Sequence, residues 1–216
     1  MNTSFPSSDL VVPELAGFLR LAGEALDTGT ALARNHYEQR KGQLENELAS
    51  MITRSGAKAV MKKRGLDTDD LETVDLPLVG LRVVVQSPFR KYRIAIWKSP
   101  DEDIPAPGRS RGRQYFLRRN QLSLALDIPW QENEINLVLT WNVSLEFYLT
   151  DLFLHMPSST AESFYKSPQS YWSERVPLPA EFPNVDQNQT GDDEVEDLPY
   201  MKADEDEEEG GAGDLE

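Results

Sequence analysis

Nine bases lie within residues 90–119, Arg90, Lys91, Arg93, Lys98, Arg109, Arg111, Arg113, Arg118 and Arg119, against three acids, Asp101, Glu102 and Asp103. Tyr92, Trp97, Tyr115 and Phe116 are interleaved with them. Guanidinium groups neutralise phosphates and aromatic rings stack on unpaired bases, so this combination suits a single-stranded nucleic acid. The contact residues predicted on that reading are Arg90, Lys91, Arg93, Arg109, Arg111, Arg113, Tyr115, Arg118 and Arg119. The same residues also fit a mobile, solvated arginine loop beside aromatics that serve the core, and both readings stay open at this level. Arg54, Lys58, Lys62, Lys63 and Arg64 form a second basic group, placed where they complement the negative end of a helix dipole.

Other chemistry is thinly represented. The two histidines, His36 and His155, stand in no metal-ligating spacing. The absence of cysteine removes disulfides, thiol nucleophiles and Cys-based metal sites. No glycine-rich phosphate loop, nucleophile elbow, metalloprotease helix or calcium loop occurs. Asp127, Glu132, Glu134, Glu146 and Asp151 are carboxylates that could line a cleft, and any solvated face of an antiparallel sheet also carries such groups. The expectation is therefore a protein without catalytic residues, metal or cofactor.

The elements that must carry these residues follow from periodicity and charge. Residues 1–12 are polar and expected to be flexible. Leu15, Phe18, Leu19, Ala22 and Leu26 follow Pro13 at helical spacing and predict a short helix over 13–27 that stops at Asp27-Thr28-Gly29-Thr30. A long second helix is predicted over 30–64, through Leu32, Leu44, Leu48, Met51, Ile52 and Ala59, with Gly65 as its stop. Together they make a helical region, 13–65, followed by an acidic linker, 66–77. From 78 to 156 the period becomes two. Val79 to Val85 and Tyr92 to Ile96 read as a hairpin, Pro100 to Gly108 as a long loop, and Leu122 to Trp130 as a further strand. Ile135, Leu137, Leu139, Trp141, Val143, Leu145, Phe147 and Leu149 alternate without interruption, and that length predicts a bend or bulge near Asn142, or a strand shared between two sheets. Residues 157–183 read as an extended segment lying on the core. The fold class predicted is α+β, with N-terminal helices, one of them long, packed on an antiparallel sheet or sandwich of about four to six strands.

Charge divides the chain unevenly. The net charge is −15, yet residues 186–216 hold fourteen acids against Lys202 alone, so the rest is close to neutral. Residues 184–216 are expected to form a disordered acidic tail, because they have too little apolar surface to offset backbone entropy. A β domain followed by an acidic tail is similar in layout to the bacterial single-stranded DNA-binding proteins. In that family a hydrophobic residue at the tip of the tail docks partners. Here the chain ends Asp214-Leu215-Glu216, and the resemblance goes no further than layout. The apolar residues Leu198, Tyr200 and Met201 lie inside the acidic stretch and are the corresponding docking candidates.

No stretch approaches the roughly 20 apolar residues of a membrane-spanning helix, and residues 1–9 lack the features of a signal peptide, so a cytoplasmic location is expected. The reading that these features favour is a non-enzymatic protein–protein interaction or assembly protein with an acidic regulatory or solubilising tail. The helix predicted over 30–64 would be its partner surface, self-association included. The alternative is a single-stranded nucleic-acid-binding module whose arginine and aromatic surface is inhibited by the tail.

Overall fold

The computed structural model describes residues 6–40, 45–65, 71–74, 81–125, 134–158 and 165–181, the side chains of 65, 71–74, 119 and 121–125 excepted. All of these fall in the first of the two units into which the chain divides, Met1–Phe182. Four helices, α1 (Ser8–Glu14), α2 (Ala16–Gln39), α3 (Asn46–Gly65) and α4 (Arg111–Ala125), accompany six strands. The strands are β1 (Leu71–Val74), β2 (Leu81–Gln86), β3 (Lys91–Lys98), β4 (Glu134–Val143), β5 (Leu149–Pro157) and β6 (Ser170–Arg175). They form one sheet in sequential order, β1 to β6. The α+β architecture, with N-terminal helices packed on a sheet, is as the patterning predicts.

Alternate residues of β2 to β5 point to one face, where Val83, Ile94, Leu139 and Leu154 meet Leu19 and Leu26 of α2 and Met61 of α3. The helical boundaries differ from expectation. Helix α1 already begins at Ser8, inside the stretch expected to be flexible, and the stop predicted at residues 27–30 is the middle of α2. Helix α2 continues to Gln39, and residues 30–64 are two helices rather than one. The physical reason lies at Gly29. A Cβ built there would stand 2.2 Å from the carbonyl oxygen of Thr53, and one at Gly56 would stand 3.1 Å from the Cα of Gly29. Both glycines allow the backbones of α2 and α3 to touch, as small residues do at helix crossings, and neither ends a helix.

One strand pair is parallel. Lys91 of β3 aligns with Glu134 of β4 and Lys98 with Trp141, whereas every other pair is antiparallel. Parallel neighbours need a crossover of a dozen or more residues, and α4 occupies it. Residues 122–125, predicted to open a strand, form the last turn of that helix; residues 126–130 lie outside the described part. Helix α4 covers the second face of the sheet, where Ala95, Trp97 and Val138 pack against Phe116 and Leu117. The more polar face of β4 is therefore buried as well, with Asn136 and Thr140 each 2% exposed. Asn120 of α4 donates to the carbonyl of Asn136 at 2.9 Å and accepts from its backbone N–H at 3.1 Å. The Asn136 side chain in turn donates to the Phe116 carbonyl at 2.9 Å.

The long alternating run, expected to be one strand with a bend or bulge near Asn142, is two strands, β4 and β5, and Leu145 of the run is 95% exposed between them. The β4–β5 register shifts between Asn142 and Val143, and the chain then reverses. Ser144 makes the reversal: its N–H donates to the Tyr148 carbonyl at 2.9 Å, and its hydroxyl accepts from the N–H groups of Glu146 and Tyr148. Phe147 takes φ of 61° there, and its ring packs edge-on against Tyr37 at 5.3 Å. The segment after 157 contributes more than an extended cover, because Ser170–Arg175 pairs with β5 as the last strand. Residues 71–74 of the expected linker are likewise a strand, paired with β2. The predicted tail, 184–216, lies outside the described residues.

Candidate functional site

Residue types at the start of α4 determine which side chains it presents. Ser110 precedes the helix, and its hydroxyl lies 3.4 Å from the N–H of Arg113, the position of an N-cap contact. Gln114 reaches back to the Gly108 carbonyl at 2.8 Å. With this start, Phe116, Leu117 and Asn120 turn toward the sheet, while Arg111, Tyr115 and Arg118 lie on one exposed face at spacings of four and three. Tyr115 is 62% exposed.

The predicted binding residues divide into two groups. Arg90 is committed to an ion pair with Glu14 at 2.7 Å, in a cluster where Tyr92 donates to the same carboxylate at 2.5 Å. Burial, and next the bond to Glu14, push the Tyr92 phenol up to about 12. Arg93 is ion-paired with Glu134. These two arginines fasten α1 and β4 to β3 and are not available for a ligand, and Lys91 beside them is half-buried. Arg109 is exposed ahead of α4, and Arg111, Tyr115 and Arg118 share the exposed face of the helix, while Arg113, two residues on from Arg111, turns toward the sheet over Trp97. Arg119 belongs to α4, its side chain outside the described residues. Leu198, Tyr200 and Met201 lie wholly outside the described residues.

Behind the exposed face Arg113, one of the predicted residues, is joined by Arg82 of β2, which sequence reading missed. The Arg113 guanidinium lies over the Trp97 ring, 5.0 Å from its centre, and that of Arg82 lies over Phe116 at 5.0 Å. Lys98 approaches the Trp141 ring at 5.8 Å. Among the described residues none of the three has a carboxylate partner. Burial first, then the charges of Arg93 and Arg113, lower the pKa of Arg82. Burial and the nearby Arg54 lower that of Arg113, and burial alone that of Lys98. The local potential is positive and only partly relieved by water. Arg82 alternates with Leu81 and Val83, so its pattern reads as an ordinary outward position; only its partnership with α4 gives it meaning.

A cleft of about 310 Å³ opens beyond the end of β4, with Asp101, Glu102, Asn142, Asp151 and Phe153 among its walls. Thr140 also lines it, and its hydroxyl is 2.8 Å from Nε2 of His155, whose Nδ1 is 2.8 Å from the Ser173 hydroxyl. Burial lowers the His155 pKa to about 4, with Asp103 opposing in part, so the ring is neutral and a weak base. Its two bonds to hydroxyl groups are those of a satisfied buried imidazole. Among the described residues no group of three or more acids and histidines is placed to hold a metal ion. No helix among them is long and apolar enough to cross a membrane.

Compared with known protein families, curated proteins and solved structures, the chain matches none.

Proposed function

We propose that this chain is a non-enzymatic binding module that holds single-stranded nucleic acid along α4. The observation that carries the reading is the exposed row Arg111, Tyr115 and Arg118, backed by Arg82 and Arg113, which have no carboxylate among the described residues. Arginine supplies phosphate neutralisation, and a solvent-facing tyrosine offers a base a ring to stack on. Fluorescence polarisation with labelled single-stranded DNA and RNA, between about 50 and about 200 mM salt, tests it. Affinity is expected to fall with salt, and Arg111→Gln with Arg118→Gln to flatten the log–log slope by about 1.4. Tyr115→Ala is expected to cost about 1 to 3 kcal/mol of binding. Absence of binding at the lower salt concentration overturns the reading.

A second reading, an assembly protein that docks another protein, is favoured by a different surface. Leu145 at the β4–β5 turn is 95% exposed, with Tyr148 beside it and Met51 of α3 also open. Of the apolar stripe expected to serve a partner along residues 30–64, Ile52 packs beside Ala33, Ala49 and Phe147, Leu32, Leu48 and Ala59 are half-buried, Met51 stays exposed and Leu44 lies outside the described residues. Sedimentation of the intact chain over a range of concentrations, with Leu145→Glu as the comparison, tests for self-association through the turn.

A further inference from the structure

The rings of Trp97 and Phe116 meet edge-to-face, 6.0 Å between centres, and both are almost fully buried. Each carries one guanidinium on its face, Arg113 on Trp97 and Arg82 on Phe116. Stacking fixes the plane of a guanidinium and leaves its N–H groups, which lie in that plane, free to donate. Most of those donors are unused. Nη2 of Arg82 reaches the Gly112 carbonyl at 3.2 Å, but its Nε is buried without a partner among the described residues. No side-chain hydrogen bond from Arg113 occurs among the described residues, in which Arg82 and Arg113 likewise have no carboxylate. Two neighbouring like charges held partly out of water repel one another, and only an anion relieves both costs at once. The two guanidiniums are near enough for the charge of Arg113 to act on Arg82, and arginine binds an oxyanion with paired N–H groups. The first turn of α4, beginning at Arg111, adds the positive end of its dipole.

We propose that Arg82 and Arg113, stacked on the Trp97–Phe116 pair, form a seat for a single phosphate group. On the nucleic-acid reading above, on which its biological role rests, the seat takes one phosphate of the strand held along α4. The shared chemistry is a phosphate oxyanion, either a terminal monoester or a backbone diester.

The test uses the full chain and inorganic phosphate. Trp97 indole and arginine Nε–H signals are followed by NMR as phosphate replaces chloride at constant ionic strength. Saturable shifts at Trp97, Arg82 and Arg113 are expected, together with a melting temperature that rises with phosphate. Arg113→Gln and Arg82→Gln are expected to weaken phosphate binding at least about tenfold, and Arg175→Gln, on β6 and ion-paired with Glu181, to leave it unchanged. Should Arg113→Gln fail to fold, Arg113→Lys keeps the charge but loses the fork and is expected to weaken binding in the same direction. Repeating the titration with dimethyl phosphate and with a 5′-phosphorylated dinucleotide tells a diester site from a monoester site. Signals that drift linearly with phosphate, without saturation, overturn the seat, as does an unchanged response in the Arg82 and Arg113 variants. Oligonucleotide binding without phosphate saturation overturns the seat alone. Phosphate saturation without oligonucleotide binding supports the seat and overturns the nucleic-acid reading.

Discussion

Gly17 and Gly29 belong to the same helix and have opposite surroundings. A Cβ at Gly17 meets nothing within 4 Å, while one at Gly29 runs into the backbone of Thr53. Gly17→Ala is therefore expected to stabilise the protein by about 0.5 to 1 kcal/mol, through helix propensity and reduced freedom of the unfolded chain. Gly29→Ala must force α2 and α3 apart and is expected to cost about 2 to 3 kcal/mol. Urea unfolding of the two variants checks both signs, and equal effects would show that the helix crossing is loose. This is also where sequence reading goes astray: a glycine that permits close approach and a glycine that ends a helix look alike until the partner helix is known. His155 carries a second expectation at the same scale. Its pKa is about 4 in the fold, against roughly 6.5 when unfolded, so the fold favours the neutral ring. That contribution is complete above about pH 6.5 and is lost as pH falls toward about 4, where the unfolded chain takes the proton first. Between about pH 7 and about pH 5 the melting temperature is expected to drop further for the native protein than for His155→Gln, with all carboxylates common to both. Equal drops would place the ring in water.

Helix α4 is the element on which the candidate site depends, and it is the least legible part of the sequence. Leu122, Leu124, Leu126 and Ile128 alternate as a strand does, yet Ser110 offers a cap and Phe116, Leu117 and Asn120 fall at helical spacing toward the sheet. Strands β2 to β4 are legible because alternation writes itself directly into sequence, whereas a parallel pairing between β3 and β4 depends on what fills the crossover. The arginines are legible as a cluster, but their division into ion-paired and unpaired members requires the positions of Glu14 and Glu134. What holds α4 in place is the buried amide exchange with β4. Asn120→Ala removes bonds to the Asn136 carbonyl at 2.9 Å and the Pro157 carbonyl at 3.3 Å, and strands the Asn136 N–H. Each unsatisfied buried group costs about 1 to 3 kcal/mol, so a total loss of about 3 kcal/mol is expected in denaturant unfolding. Oligonucleotide affinity should fall with it, since Arg111, Arg113 and Tyr115 lose their platform. A loss below about 1 kcal/mol would mean that apolar packing alone seats the helix.

On the scale of the whole molecule, a chain of net charge −15 is proposed to bind a polyanion, and the two facts are compatible only if charge is segregated. Residues 186–216 account for −13 of the total, which leaves the remainder near neutral, with Arg82, Arg111, Arg113 and Arg118 on or behind α4 and a second basic group at the end of α3. Negative charge tethered to the binding unit lowers the local concentration of any approaching polyanion and slows its encounter, without need of a defined contact. Deleting residues 191–216 removes a net −12 and is expected to tighten oligonucleotide binding several-fold at about 50 mM salt, mainly through the association rate. Screening shortens such fields to about 8 Å at physiological ionic strength, so the difference should shrink as salt rises. The melting temperature should hardly change, because the division of the chain after Phe182 places the deleted residues outside the unit that contains the core. Stopped-flow association at two salt concentrations, paired with a melting curve, separates these effects. An unchanged association rate at low salt would show that the acidic residues act beyond electrostatic range of α4, and a fall in melting temperature of several degrees would show that they contribute to the folded unit itself.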